Sequence, residues 1–211
     1  MPAAKRFTLY GSWLSGPSYK VGLMLSLSGQ AFTYKAIDLT KGEHKSADYL
    51  LVNRYGQVPA LAYGGGTMVQ SNVILDYLSE FTGKFRGANP GVTWRAKEWL
   101  AWEADRLAPG IYRTRFFSRF APSTDPAVQK VYRDAGEAAL KVLDAALGKT
   151  RWLAGAEPTI ADVACFAPVA FLEEAKFAVD DFPQVKAWAE RLAALPGFKL
   201  PYDLMPKADV A

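Results

Sequence analysis

The order of its short segments constrains this chain more than any single motif does. From Phe7 to Gly83, β-prone and helix-prone stretches alternate, and beyond Gly83 the sequence reads as helix. That division points to an α/β part, with helices packed on a sheet, followed by an all-helical part with its own core. Phe7 to Tyr10 is a short β-prone run. Pro17 suits the first turn of a helix, where its missing N–H is not needed. Val21, Met24, Leu25 and Ser28 then recur at helical spacing, and Gly29 is placed to end the helix. Phe32 to Asp38 reads as a second strand. A polar stretch from Thr40 to Lys45 leads into a short amphipathic segment around Tyr49 to Val52. Val58 to Tyr63 reads as a third strand, Gly64-Gly65-Gly66 as a turn, and Thr67 to Val69 as the returning strand. Ser71 is placed to cap a helix with Val73, Ile74, Tyr77, Leu78 and Phe81 on one face, and Gly83 stops it. The order is βαβ, a helical link, then ββα.

The stretch from Lys84 to Gly91 carries Gly87, Pro90 and two basic residues and reads as a linker. Trp94 to Arg119 is a long helical segment that Pro109-Gly110 should kink. Ala127 to Leu147 places Leu140, Leu143 and Leu147 at core spacing. Thr159 to Phe171 is a shorter, very apolar helix, and Phe182-Pro183 opens another that Pro196-Gly197 ends. The expected boundaries are residues 1–83, a linker at 84–91, and a helical domain at 92–211.

Composition removes several function classes. The 211 residues are 50% hydrophobic and carry a formal charge of only +4, so no basic stripe argues for nucleic acid. One cysteine, Cys165, permits no internal disulfide and no paired-cysteine metal site. Its apolar helical context reads as core. The one histidine, His44, leaves no ordinary Ser-His-Asp triad unless it is the base. No apolar run approaches the ~18 residues of a membrane span, and the start shows no secretory signal pattern. The expected compartment is the cytosol, with no metal, membrane or nucleic-acid partner.

Four short motifs could carry chemistry. Ser15 and Ser18 sit where the first strand meets the first helix, whose N-terminus offers unpaired N–H groups and a positive dipole end. Either hydroxyl could donate to an anion, or Ser15 could serve only as the helix cap. His44 and Lys45 could pair with a carboxylate, or lie in a solvated charged loop. Val58-Pro59 follows Gln57; a cis bond there would turn the Val58 N–H and C=O outward to an extended peptide. The bare sequence favours trans, the majority state. Gln70-Ser71 opens a helix N-terminus suited to a carboxylate, and the plain alternative is a cap with a solvated neighbour.

Taken in order, these motifs resemble the soluble glutathione transferases, and the resemblance covers nearly the whole chain. The nearest pattern is a serine-type, phi-like one, also seen in bacterial relatives. Gly42-Glu43-His44-Lys45, Leu51, Asn53, Gly56-Gln57-Val58-Pro59-Ala60-Leu61 and Gln70-Ser71 carry it, together with Ser15 to Val21. The resemblance implies a thioredoxin-like N-terminal α/β domain (βαβ–ββα) plus an all-α C-terminal helical domain. It implies glutathione as co-substrate, conjugated to a hydrophobic electrophile. Ser15 would be the catalytic serine. His44 and Lys45 would hold the glycine carboxylate, Gln57 and Val58 the peptide backbone beside a cis Pro59, and Gln70 and Ser71 the γ-glutamyl end. Trp13, Leu14, Tyr112 and Phe116 would line the electrophile pocket. A homodimer is implied, with Asp105 able to reach a partner's site. Thr159 and Asp162 match a capping signature whose role is folding. Gln70 stands where many relatives carry an acid, and Arg54 where a proline is usual, which should loosen the turn before Gln57. Isomerase, peroxidase or dehalogenase chemistry on the same site is the enzymatic alternative, and a non-catalytic binding or interaction protein the other.

Overall fold

The structure is a computed structural model and describes residues 6–210. It divides into two compact units, Met1–Lys84 with Pro196–Ala211, and Phe85–Leu195. The first unit holds β1 (Phe7–Gly11), α1 (Gly16–Leu27), β2 (Phe32–Ala36), α2 (Ala47–Val52), β3 (Ala60–Tyr63), β4 (Gly66–Val69) and α3 (Ser71–Thr82). The sheet runs β2-β1-β3-β4. β1 pairs parallel with β2, and β3 is antiparallel to both β1 and β4. β1 alternates as a half-buried strand should, with Phe7 and Leu9 in the core. α1 is buried almost all round; Tyr19, Val21, Leu23, Met24 and Leu25 have no exposed surface. That matches its apolar character on every face. This is the thioredoxin-like α/β unit that the resemblance implies.

Three local expectations change. β3 begins at Ala60 rather than Val58, because Val58-Pro59 is a cis peptide outside the ladder. The bare-sequence preference for trans there is overturned. Ser71 is the first residue of α3, not its cap; Gln70 occupies the cap position and its side chain makes no capping bond. Gly83, at φ 68°, ends α3 in the left-handed conformation that glycine adopts without strain.

The last residues also depart from the expected boundaries: Pro196–Ala211 groups with the α/β unit rather than with the helices. The Tyr19 hydroxyl donates to the Lys199 carbonyl and the Ser26 hydroxyl to that of Gly197. A short helix, α9 (Pro201–Leu204), presses Leu204 and Met205 onto Gly22 of α1, where an added Cβ would lie 2.6 Å from Met205 Cε. The tail ends as a bridge on the open edge of β2. Tyr34 and Val210 exchange both backbone hydrogen bonds, and Asp209 pairs with Lys35 at 2.7 Å while accepting the Ala36 N–H. The tail covers part of an edge that would otherwise be unpaired.

The second unit holds α4 (Pro90–Trp102), a π-helical turn (Glu103–Leu107), α5 (Ala108–Phe120), α6 (Pro126–Leu147), α7 (Ile160–Val169) and α8 (Pro183–Ala193). The expected kink at Pro109 is realised as that widened turn. Pro109 then falls in the first turn of α5, where no N–H is required. Gly110 of α5 meets Gly136 of α6 so closely that a Cβ would lie 2.6 Å from the Gly136 nitrogen. α7 is buried along its whole length, Cys165 included. Among the described residues no helix is long and apolar enough to cross a membrane, and no group of His, Cys, Asp or Glu side chains is arranged to hold a metal ion.

Asp162 organises this unit. It has no exposed surface, and its carboxylate accepts the backbone N–H groups of Leu153 (3.0 Å) and Thr159 (2.8 Å) and the indole N–H of Trp188 (3.0 Å). Thr159 and Asp162 form the expected capping box on α7. Burial holds the Asp162 carboxyl above its ordinary range, although each of these bonds pulls it down. A raised folded-state value means that this group's contribution to stability falls as pH rises from the ordinary carboxylate value to the raised one. Asp162→Ala strands three buried donors and should cost about 4 kcal/mol in denaturant unfolding; a loss under about 1 kcal/mol would contradict this account.

Candidate active site

Strand direction gathers the candidate motifs. The ladders pair Gly11 with Ala36, Tyr10 with Ala60, and Ala60 with Val69. The C-terminal ends of β1, β2 and β4 and the start of β3 therefore lie at one end of the sheet. The loop bearing Ser15 leaves β1 there, and the segment with His44 and Lys45 follows β2. Gln57-Val58-Pro59 enters β3 there, and Gln70-Ser71 follows β4. Open sheets of this kind bind ligands where strand ends converge.

The two serines of the first loop separate clearly. Ser18 is fully buried, and its Oγ accepts the Ser12 N–H at 3.2 Å. It belongs to the packing between β1 and α1; a Cβ on Gly11 would lie 3.1 Å from Ser18 Cβ. Ser15 is half-buried and caps α1, accepting the Ser18 N–H at 3.1 Å. That bond occupies one lone pair, and the Ser15 O–H has no acceptor among the described residues. The Ser15 N–H donates to the Ser12 carbonyl, closing a tight turn around half-exposed Trp13 and Leu14.

The other motifs are held by one another. Lys45 Nζ donates to the Gly56 carbonyl at 2.8 Å, bringing the His44-Lys45 turn against the segment before β3. Gly56, at φ 57°, permits this approach; a Cβ there would lie 2.9 Å from the His44 carbonyl oxygen. His44 is half-buried, and its Nδ1 has no hydrogen-bond partner among the described residues. The Gln57 side chain is exposed, Val58 half-exposed and Pro59 buried. The Gln70 amide donates to Gln57 Oε1 at 3.4 Å. The first N–H groups of α3 receive no side-chain cap. Gln70 has φ 69° and ψ 108°, a conformation costly for a residue with a Cβ.

Comparison with known proteins decides the family. The N-terminal domain model of glutathione S-transferases matches residues 5–80 and the C-terminal domain model residues 108–196. Glutathione S-transferase 3 of Zea mays is 33% identical over 90% of each chain. The chain belongs to the glutathione S-transferase family. It is also 28% identical to the disulfide-bond oxidoreductase YfcG of Escherichia coli, over 84% of this chain and 86% of that one. Among solved structures, the glutathione transferase URE2P6 of Phanerochaete chrysosporium, in complex with oxidised glutathione, superposes with a TM-score of 0.88. That match is 26% identical and covers 98% of this chain and 99% of the other.

Several residues position these motifs although the sequence reading gave them no role of their own. Asn53 is buried; its amide donates to the Gln57 carbonyl at 2.6 Å and its Oδ1 accepts the Tyr55 N–H. The Tyr49 hydroxyl donates to the same Gln57 carbonyl. These bonds hold the turn that Arg54 was expected to loosen; Arg54 itself lies outside, stacked on Tyr55. Lys20 is buried in α1, and its ammonium donates to Asn72, beside Ser71, at 2.7 Å. Burial pushes the Tyr19, Tyr34 and Tyr49 hydroxyls above their ordinary range, so these tyrosines stay neutral.

The helical unit carries the other expected pocket residues. Phe116 is exposed, Tyr112 is half-buried with its ring edge-on to Phe171, and Phe117 is core. Asp105 is exposed and pairs with its neighbour Arg106. The Gln70 backbone gives a direct test. Gln70→Gly should relieve the positive φ and leave the protein more stable by about 1 kcal/mol in denaturant unfolding. An equal loss of stability would show that the position carries no strain.

Proposed function

We propose that this chain binds glutathione at the convergent end of its sheet and transfers the thiolate to hydrophobic electrophiles. The observation that carries this reading is Ser15, a half-buried helix cap whose oxygen is fixed by Ser18 N–H and whose proton is free to be donated. A glutathione thiol, with a free pKa near about 8.5, is mostly protonated at neutral pH. A hydroxyl aimed at sulfur beside a helix N-terminus favours the thiolate without itself losing a proton. His44 and Lys45 would receive the glycine carboxylate, Val58 would pair with the peptide as an added strand, and the uncapped start of α3 with Ser71 would take the γ-glutamyl carboxylate. Gln70 would accept from the amine without the charge an acid would supply. Trp13 and Leu14 would meet the electrophile on the α/β unit.

In the reaction, the thiol proton goes to solvent and the thiolate attacks the electrophilic carbon. The carbon–sulfur bond forms as the leaving group departs with its electron pair. Ser18 is buried and cannot replace Ser15 as donor. Ser15→Ala should therefore lower kcat/KM by about 10²–10³-fold in a conjugation assay and raise the thiol pKa of bound glutathione in an ultraviolet titration. An unchanged rate with an unchanged titration would remove Ser15 from the mechanism.

A second reading keeps the same site. The Escherichia coli relative named a disulfide-bond oxidoreductase, and the fungal structure holding oxidised glutathione, both favour disulfide chemistry. Cys165 is buried in the helical unit, so every sulfur of such an exchange would come from bound molecules. One glutathione thiolate would attack a disulfide sulfur, forming a mixed disulfide as the other sulfur leaves as thiolate, and a second glutathione thiolate would displace the remaining thiolate and leave oxidised glutathione. Glutathione-dependent reduction of a small disulfide, without conjugation of aryl halides, would favour this reading.

The homodimer and the cytosolic location belong to the same proposal. Exposed Val73 and Phe81 on α3 support an apolar dimer face. Light scattering should give twice the chain mass, and a monomer at micromolar concentration would exclude the dimer.

A further inference from the structure

The tail that closes the α/β unit carries a cation to the loop before Ser15. Lys207 Nζ lies 4.5 Å from the centre of the Trp13 ring. The Tyr202 ring lies 6.2 Å from the same ring. The tail is pinned on both sides of Lys207. Upstream, Leu204 and Met205 are buried against α1. Downstream, Asp209 holds Lys35 and the Ala36 N–H, and Val210 bridges Tyr34. The position of Lys207 is thus set by anchors two residues away on each side. The side chain itself is exposed, and among the described residues no carboxylate pairs with it. An ammonium lying over an aromatic face still points N–H groups outward to an acceptor.

We propose that Lys207 sets substrate choice, selecting aromatic electrophiles that carry a carboxylate or sulfonate. This rests on the transferase reading, in which Trp13 faces the electrophile. Trp13 and Tyr202 supply flat apolar surface for a ring. Lys207 supplies a charge-assisted hydrogen bond to an anionic substituent of that ring. A neutral electrophile of the same shape gains only the aromatic contact. Asp209 acts through the tail: it keeps Lys207 in place and touches no substrate.

The test compares a chlorodinitrobenzoate with the corresponding neutral chlorodinitrobenzene. In both, the thiolate forms a carbon–sulfur bond, the carbon–chlorine bond breaks, chloride leaves with the bonding pair, and the thiol proton goes to solvent. Lys207→Gln should lower kcat/KM for the anionic electrophile about fivefold, mainly through KM, and move the neutral one by less than about twofold. Lys207→Arg should restore the preference. Asp209→Ala should lose part of it for the anionic electrophile alone. Equal losses for both electrophiles would show that Lys207 merely props Trp13, and no loss would show that it does nothing; either overturns the proposal. Absence of turnover with both, in the unaltered chain, would instead count against the transferase reading. The preference is then read by calorimetry, with unreactive dinitrobenzoate expected to bind more tightly than dinitrobenzene to the native chain but not to Lys207→Gln. Equal binding of the two by the native chain overturns the proposal without reference to catalysis.

Discussion

The antiparallel pairing of β1 with β3, in the register that sets Tyr10 against Ala60, is the constraint on which the α/β unit depends. It reverses β3 against β1, so the start of one strand meets the end of the other. With β2 parallel to β1 and β4 antiparallel to β3, four strand ends then meet at one end of the sheet. A one-residue slip would turn Leu61, which is fully buried, toward the opposite face. Burial of one face therefore fixes the register, and the register fixes which loops can share a ligand.

Around that end, each motif is held by a neighbour rather than by itself. Lys45 reaches the Gly56 carbonyl, Asn53 and Tyr49 converge on the Gln57 carbonyl, and Lys20 reaches Asn72 at the start of α3. These are hydrogen bonds from charged or buried groups, whose loss leaves an unsatisfied partner. The site is thus rigid where it would hold a peptide ligand. It keeps its free donor capacity at Ser15 and at the uncapped N-terminus of α3. At this end of the sheet the strained backbone is that of Gln70, between β4 and α3, a place where function and stability can be expected to oppose one another.

Much of this was legible from residue order. The βαβ–ββα pattern, the Gly83 stop, the capping box at Thr159 and Asp162 and the buried state of Cys165 all follow from periodicity and turn chemistry. Expectations failed where long-range contacts outweigh local preference. Pro59 is cis, as the resemblance implies and against the majority state that the bare sequence favours. Ser71 opens α3 rather than capping it, because Gln70 adopts a positive φ that its own preference opposes. The turn at Arg54 is held by the Asn53 and Tyr49 side chains, which both donate to the Gln57 carbonyl, a contact that the identity of residue 54 does not reveal.

The sequence alone determined the segment types and their order, since hydrophobic period and glycine or proline punctuation act within a few residues of one another. It also determined which side chains were available for chemistry: one cysteine, one histidine, and Ser15 and Ser18 where the first strand meets the first helix. Only tertiary structure separated Ser15 from Ser18. It buried Ser18 against Gly11 and left Ser15 half-buried at the cap of α1, accepting the Ser18 N–H. It also returned the last residues to the edge of β2 and set Lys207 over Trp13. Residues nearly two hundred positions apart carry no mutual periodicity, and an unpaired strand edge will accept whichever segment the packing of α9 on α1 brings to it.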